Sequence, residues 1–374
     1  MHQGVRDFVR WVRANAGEGG LRVEGPAATK DLTALEHQLG TPLPADLRFV
    51  LGVFDGGALP NGTLLSARPG PGSTIEAALR EVAQRLSRDF LDPELMLPFH
   101  RTDHETYLAF DRSAAPVQDT WPVVDYDPDT QDVLLVHRTF DGWCRLCVAE
   151  WTSDDWGEDF SIEKYLAQGA RHTTIEPDVS IAHVTVAHAL RRAGQPEKSL
   201  EAYLRAGRCV PAVSWADWEA LKLASLLRYP ADALEAGARL SLRAPAETWE
   251  QRGATPSQVA FAMARVAPPP GEAQAQWLRA LDQLVEQALG DDDRAAVAAV
   301  RRVLVAGEGP LPTPAPPFAA DVAAPDDHDA WWALLCEAYR EGTVREQDLL
   351  DPQLEPLGRS FDLADVLRIR RGFS

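Results

Sequence analysis

The sequence has few cysteines and no long apolar run. Only four of its 374 residues are cysteine, which argues against a disulfide framework and fits a reducing compartment. No window approaches the ~20 apolar residues that are needed to span a bilayer. The opening residues interleave arginine with valine and phenylalanine, which predicts an amphipathic helix and not a signal peptide. We therefore expect a cytoplasmic protein without a membrane partner.

Positive charge is also scarce. The chain carries 37 Lys and Arg against 56 Asp and Glu, for a net charge of −19. Residues 1–170 hold 15 basic and 27 acidic side chains, and the remainder holds 22 and 29. The electrostatic field of so negative a chain repels phosphate backbones and attracts basic partners. This argues against nucleic acid as a ligand and favours a basic protein partner, although acidity also serves solubility alone.

Signatures of catalysis are missing as well. The sequence has no glycine-rich phosphate loop, nucleophile elbow or paired-histidine zinc motif. Cys144 and Cys147 form C-x-x-C, but no second ligand pair for zinc is nearby, and Thr139 already starts the helix that contains them. We interpret the two thiols as buried core residues. We expect no catalytic residue, no metal and no cofactor, and hence no enzyme.

Two polar segments have partial features of metal sites. The acidic run 125–132 lacks the glycine and the final glutamate that a calcium loop needs, so it predicts a charged hairpin turn around Pro128. The segment 100–105, H-R-T-D-H-E, groups two histidines with two carboxylates. It lies between two predicted strands as a loop, which does not give the histidines a shared face. Neither segment predicts a metal site.

The stretch 32–57 specifies two helices and the turn between them. Three leucines form a helical stripe, and Gly40 follows where a left-handed cap ends such a helix. Pro44 bars continuation of the first helix and can occupy the first turn of a second one. The second helix is amphipathic, and Gly56 and Gly57 tolerate the positive φ of its exit.

On these residues the chain resembles the SUKH superfamily, the Smi/Knr-type domain. The residues at the expected motif spacing include Glu36, Gly40, Leu43, Pro44, Gly56 and Gly57. The resemblance covers roughly residues 25–168. It implies an α+β domain that binds other proteins, found in bacteria chiefly as immunity proteins that neutralise toxins and in fungi as a cell-wall regulator. It implies no catalytic site.

The remainder of this first domain predicts an antiparallel sheet flanked by helices. A capping box at 73–76 opens a helix, and three extended runs follow at 95–99, 106–110 and 133–137. These runs are separated by turn-forming residues, so they predict a meander. A helix with Thr139 as its N-cap then closes the domain.

Beyond residue 177 the pattern becomes helical and repeats. The residues that match a tetratricopeptide repeat are Gly194, Ser199, Tyr203, Ala206 and Pro211. A period of about 34 residues places another small residue at Ala233 and another proline at Pro245, in a copy that is otherwise degenerate. The chain therefore predicts an α+β SUKH-like domain followed by an all-α helical-repeat domain.

The predicted organisation has five parts. Six prolines between Gly307 and Pro325 predict an extended connector, and the tail after it carries Trp331 and Trp332 on an apolar face that we expect to dock back. The parts are a leading helix at 1–20, the SUKH-like domain at 25–168, the repeat domain at 177–306, the proline-rich connector at 307–325 and a helical tail at 326–374.

These observations favour a protein-binding module. The first interpretation is an immunity-type protein whose SUKH-like domain captures a basic toxin domain. Its candidate contacts are Asp103, Glu105, Asp154, Asp155, Trp156, Glu158 and Asp159, although an acidic run is also typical of a merely solvated surface. The alternative is an adapter in which a tetratricopeptide-like groove binds a cellular partner, since a minimal immunity protein has no need of a repeat domain.

Overall fold

The computed structural model divides the chain into two compact units. The first unit comprises Met1–Glu158 and Ala170–Ala182, and the second comprises Asp159–Gly169 and His183–Ser374. The structure describes residues 1–69, 73–85, 93–114, 116, 120–157, 159–242, 248–268, 271, 274–307, 309–318, 322 and 327–372. Within these ranges, no helix has both the length and the apolar character that crossing a bilayer demands.

The first unit is built on a seven-stranded antiparallel sheet. Its strands are paired in the order in which they occur along the chain. They are β1 (Arg22–Val23), β2 (Gly57–Leu59), β3 (Gly62–Leu64), β4 (Met96–Thr102), β5 (Tyr107–Asp111), β6 (Val123–Tyr126) and β7 (Val133–His137). The predicted meander is thus confirmed, and the sheet has four strands more than the sequence pattern indicated.

Helices cover this sheet, and two of their ends carry the caps that the sequence predicted. They are α1 (Gln3–Asn15), α2 (Thr29–Leu39), α3 (Ala45–Val53), α4 (Ile75–Arg85) and α5 (Phe140–Trp151), with a 3₁₀ turn at Pro93–Leu95. Gly40 ends α2 with a φ of 66°, as predicted. The hydroxyl of Thr139 accepts the Gly142 N–H at the start of α5, which confirms the predicted N-cap.

An aromatic cluster at the centre of the first unit joins α1 to α5 and to the sheet. Trp143 of α5 contacts Phe8 of α1 with ring centroids 5.2 Å apart, and Phe99 of β4 edge-on at 5.1 Å. Phe140 and Trp151 complete the cluster. The leading helix therefore belongs to the core of this unit, and its apolar face is covered by α5.

The two glycines of the family motif permit a close approach of backbones. Gly57 has a φ of 129°, and a Cβ atom built on it would lie 2.1 Å from the carbonyl oxygen of Arg22 on the paired strand. Gly56 has a φ of 82°. The junction of α2 and α3 is held by Glu36, whose carboxylate accepts the Leu43 N–H at 3.1 Å. The motif residues thus fix turns and strand pairing in this fold.

The second unit is helical throughout the part that the structure describes. Helix α6 (Ile162–Ile175) begins in it and α7 (Ser180–Arg192) ends in it, each contributing its remaining residues to the first unit. The helices that follow are α8 (Pro196–Arg208), α9 (Ala216–Leu226), α10 (Pro230–Leu242), α11 (Pro256–Ala264), α12 (Gln274–Glu286), α13 (Asp291–Ala306), α14 (His328–Glu341), α15 (Glu355–Ser360) and α16 (Ala364–Leu367), with 3₁₀ turns at Asp348–Leu350 and Pro352–Leu354. The predicted fold class is confirmed.

The residues assigned to the repeat motif lie where α7 and α8 meet. The Ser199 hydroxyl donates to the Ala187 carbonyl at 2.8 Å, and Tyr203 and Ala206 are fully buried. Gly194 has a φ of 72°, and Pro211 follows the end of α8. The tetratricopeptide assignment remains a prediction, and the second terminating proline, at position 245, lies outside the described residues.

The tail docks on the helices of its own unit, as predicted. The Arg371 N–H donates to the Arg192 carbonyl at 2.8 Å, Trp331 is buried and Trp332 stacks on Phe361 with ring centroids 4.7 Å apart. In the described part of the proline-rich connector, the Ala315 carbonyl accepts the hydroxyls of Thr255 and Ser257. Connector and tail are therefore parts of the second unit's packing.

A network of buried charges anchors the tail. The carboxylate of Glu346 lies 3.0 Å from Arg371 and 3.3 Å from Arg191, and it accepts the Tyr339 hydroxyl at 2.8 Å. Burial alone would raise the pKa of Glu346, but Arg191, Lys222 and Arg371 lower it to about 2. Glu346 is therefore charged at neutral pH and fully paired.

Candidate functional site

The register of the sheet brings two hairpin turns to the same end. Tyr107, the first residue of β5, pairs with Tyr126, the last residue of β6, and Tyr126 pairs with Val133, the first residue of β7. The β4–β5 turn and the β6–β7 turn are therefore neighbours at one end of the sheet. This neighbourhood follows from pairing alone.

The two turns together carry five carboxylates, which we call the acidic rim. Its members are Asp103, Glu105, Asp127, Asp129 and Asp132. All of them are exposed except Asp127, which is half-buried. Two guanidinium groups balance the rim in part, because Arg101 pairs with Glu105 and Arg85 lies 3.3 Å from Asp129. Five carboxylates against two arginines leave the rim negatively charged.

Backbone hydrogen bonds orient Asp127, the half-buried member of the rim. The Asp127 carboxylate accepts the backbone N–H of Asp129 at 2.8 Å and that of Thr130 at 3.3 Å, and the bond from Asp129 is the main reason why the pKa of Asp127 is lowered. Asp125 lies at the base of the rim on β6, where burial raises its pKa. The negative charge is thus concentrated at the tip of the turn.

Both turns of the rim contain backbone that most side chains avoid. Glu105 has a φ of 66° and Gln131 a φ of 63°, in the left-handed region that costs a residue other than glycine about 1–2 kcal/mol. Glycine would remove this cost at either position. A left-handed residue is typical of short hairpin loops, so these two positions fix the shape of the turns.

The other predicted contact residues are outside the two turns of the rim. Asp154, Asp155 and Trp156 lie in the turn after α5, where Asp154 and Trp156 are exposed. The Arg171 guanidinium binds Asp155 with two bonds of 3.0 and 3.1 Å and lowers its pKa, so Asp155 is a structural tie. Position 158, predicted as Glu158, lies outside the described residues. Asp159 is exposed and belongs to the second unit.

Three of the candidates for metal or redox chemistry, Cys144, Cys147 and His100, are buried in the core. Cys144 and Cys147 are buried on α5, and burial raises the pKa of both thiols well above its ordinary value. They are therefore core thiols, as predicted, and not reactive thiolates. His100 lies in β4, inside the core, and burial lowers its pKa to about 3, whereas Asp103 and Glu105 of the same segment are in the exposed turn.

A second polar cluster, which the sequence analysis did not identify, lies inside the first unit. His137 at the end of β7 has its Nδ1 atom 2.6 Å from an oxygen of Glu176, and the Nε2 atom of His172 on α6 lies 3.6 Å from the same oxygen. Burial would raise the pKa of Glu176, but the hydrogen bond with His137 and the nearby His172 imidazole lower it to about 2. Burial also lowers the pKa of His172. This is the group within the described residues with the composition and spacing of a metal site.

The family comparison agrees with the fold. Residues 26–145 match the family model described as the SMI1 / KNR4 family (SUKH-1), which confirms the predicted resemblance for that part of the chain. The matched segment includes α2 to α4, β2 to β7 and both turns of the acidic rim. No curated protein matches the chain.

Proposed function

We propose that this chain is a cytoplasmic, non-catalytic protein-binding module of the immunity type, which captures a basic toxin domain. The observation that carries the proposal is the acidic rim, which lies within the segment that matches the SUKH-1 family. A protein whose surface carries a net positive charge complements five carboxylates gathered in two adjacent turns.

The rim is suited to rapid capture. Clusters of exposed charge of one sign raise the rate of association with an oppositely charged protein by about 10- to 1000-fold, and salt suppresses the effect. Ion pairs with Arg85 and Arg101 orient the carboxylates of Asp129 and Glu105. The strained backbone at Glu105 and Gln131 indicates that the turns hold their shape at a cost to stability.

The test measures binding to a candidate toxin domain encoded beside the gene for this chain. The variant Asp103→Asn/Asp132→Asn removes two rim charges and keeps the side-chain shapes. Its matched control, Glu18→Gln/Glu24→Gln, removes two exposed charges of the same unit away from the rim. We expect the rim variant to slow association by about 5-fold or more at low salt and the control to bind like the wild type.

Three other outcomes contradict the proposal in different ways. Equal slowing by both variants would mean that net charge acts and the rim does not. Binding that requires the second unit and is insensitive to salt would support the adapter, for which the all-α unit is the supporting observation. Turnover of a small substrate would contradict both binding functions.

A further inference from the structure

The His137–His172–Glu176 cluster has donors of the types that bind zinc. Two imidazole nitrogens and one carboxylate oxygen lie within 4.8 Å of one another. Tetrahedral Zn²⁺ with bonds of about 2.0–2.2 Å holds adjacent ligand atoms about 3.3 Å apart. The separations from the Glu176 oxygen to the histidines, 2.6 and 3.6 Å, lie on either side of that value. The His137 contact would have to lengthen by about 0.7 Å and the His172 contact to shorten by about 0.3 Å to reach it.

One ring nitrogen of this cluster, Nε2 of His172, lacks a hydrogen-bond partner among the described residues. The His137–Glu176 contact at 2.6 Å is a hydrogen bond, but the His172 Nε2 atom at 3.6 Å is too distant for one. That nitrogen is buried and has no hydrogen-bond partner among the described residues. A buried polar atom without a partner is unfavourable, and an ion between the two histidines and the carboxylate would engage it.

The surrounding backbone is shaped to hold Glu176 in this position. Its other carboxylate oxygen accepts the N–H groups of Arg138 at 2.8 Å and Thr139 at 3.3 Å, which leaves the first oxygen facing the histidines. Gly142 makes room for it, because a Cβ atom there would lie 2.2 Å from the Glu176 carboxylate. Fixed supporting bonds of this kind orient metal ligands in proteins.

We propose that His137, His172 and Glu176 form a site for one divalent transition-metal ion of the zinc type. The three ligands leave one position of a tetrahedron open. The ion joins the end of α6 to the junction of β7 and α5, all within the first unit. The sequence predicted a chain without metal, on the basis of Cys144, Cys147 and the segments 100–105 and 125–132. The site proposed here does not depend on the proposed function.

The experiment uses the full chain without a polyhistidine tag, stripped with a chelator and titrated with ZnCl₂. We expect saturable uptake of one ion per chain and, in excess zinc, a rise of the melting temperature by about 5 °C or more. His172→Gln should weaken uptake by at least about 10-fold. Its matched control, His104→Gln, changes an exposed histidine of the same unit and should bind zinc like the wild type.

A second measurement keeps the test decisive if His172→Gln does not fold. The wild type loaded with Co²⁺ should show tetrahedral absorption without the thiolate-to-cobalt band that Cys144 and Cys147 would give. Cys144→Ala/Cys147→Ala should retain full uptake. The proposal is overturned by the absence of stoichiometric uptake, by uptake that His172→Gln leaves unchanged, or by a thiolate band.

Discussion

Replacing His100 by leucine should make the first unit more stable and less sensitive to acid. His100 is fully buried in β4, packs against Trp143 with ring centroids 5.5 Å apart, and has neither ring nitrogen hydrogen-bonded to a described residue. Leucine can fill the same space with a side chain that has no polar atom. Removal of the unsatisfied ring N–H should therefore stabilise the unit by ~1 kcal/mol at neutral pH, less any loss of packing.

The pH dependence follows from the lowered pKa. Burial lowers the pKa of His100 from 6.5 to about 3, so only the unfolded chain takes up a proton on this residue between those values. The stability that depends on a neutral His100 is therefore fully present above pH 6.5. It is lost as the pH falls from 6.5 towards 3. Between about pH 7.5 and about pH 5.5, this single group removes ~1.4 kcal/mol.

The measurement must report on the first unit alone. Hydrogen exchange of peptides from β4 and β5, followed through a urea series at both pH values, gives the unfolding free energy of this unit. Other titrating groups contribute equally to wild type and variant, so the difference between the two proteins should grow by ~1.4 kcal/mol at the lower pH. A difference that stays constant with pH would refute the reasoning.

Two further substitutions test packing and charge. Gly57→Ala should destabilise the first unit by ~3 kcal/mol or more, because Gly57 has a positive φ and lies against the paired strand. The control is Gly52→Ala in α3, which has open space around it and should leave the melting temperature unchanged or raise it. Glu346→Gln should cost the second unit ~3–5 kcal/mol in urea unfolding, because it removes the carboxylate that pairs with the buried Arg371 guanidinium. Glu337→Gln, on an exposed surface, should cost less than ~1 kcal/mol. Equal effects within either pair would contradict the argument.

The helices of the first unit could be predicted because their signals are local. Gly40 and Pro44 act on their own backbone, and the structure places the end of α2 and the start of α3 beside them. The strands β2 and β3 have three residues each and contain glycine, so they are too short to show an alternating pattern. Their pairing depends on contacts with β1 and β4, which sequence spacing does not reveal.

The two candidate sites were harder to predict because each joins distant parts of the chain. The sequence pattern predicts contacts at Asp103 and Glu105 and a charged turn in the run 125–132. The proximity of these two segments depends on β6, which the pattern does not show. His137 and Glu176 are 39 residues apart. The one local signal was the i, i+4 spacing of His172 in α6 and Glu176, the residue that follows its end.

The packing of α1 on α5 has a consequence for the protein during its synthesis. The Val5 N–H donates to the Asp141 carboxylate, 136 residues further along the chain, and Phe8 packs against Trp143 and Trp151 of α5. At about 5–20 residues per second, translation reaches α5 on the order of ten seconds after α1. Meanwhile the sheet can form hairpin by hairpin, since its strands pair in chain order. The nascent chain therefore carries a helix whose α5-facing side stays uncovered until α5 emerges from the ribosome.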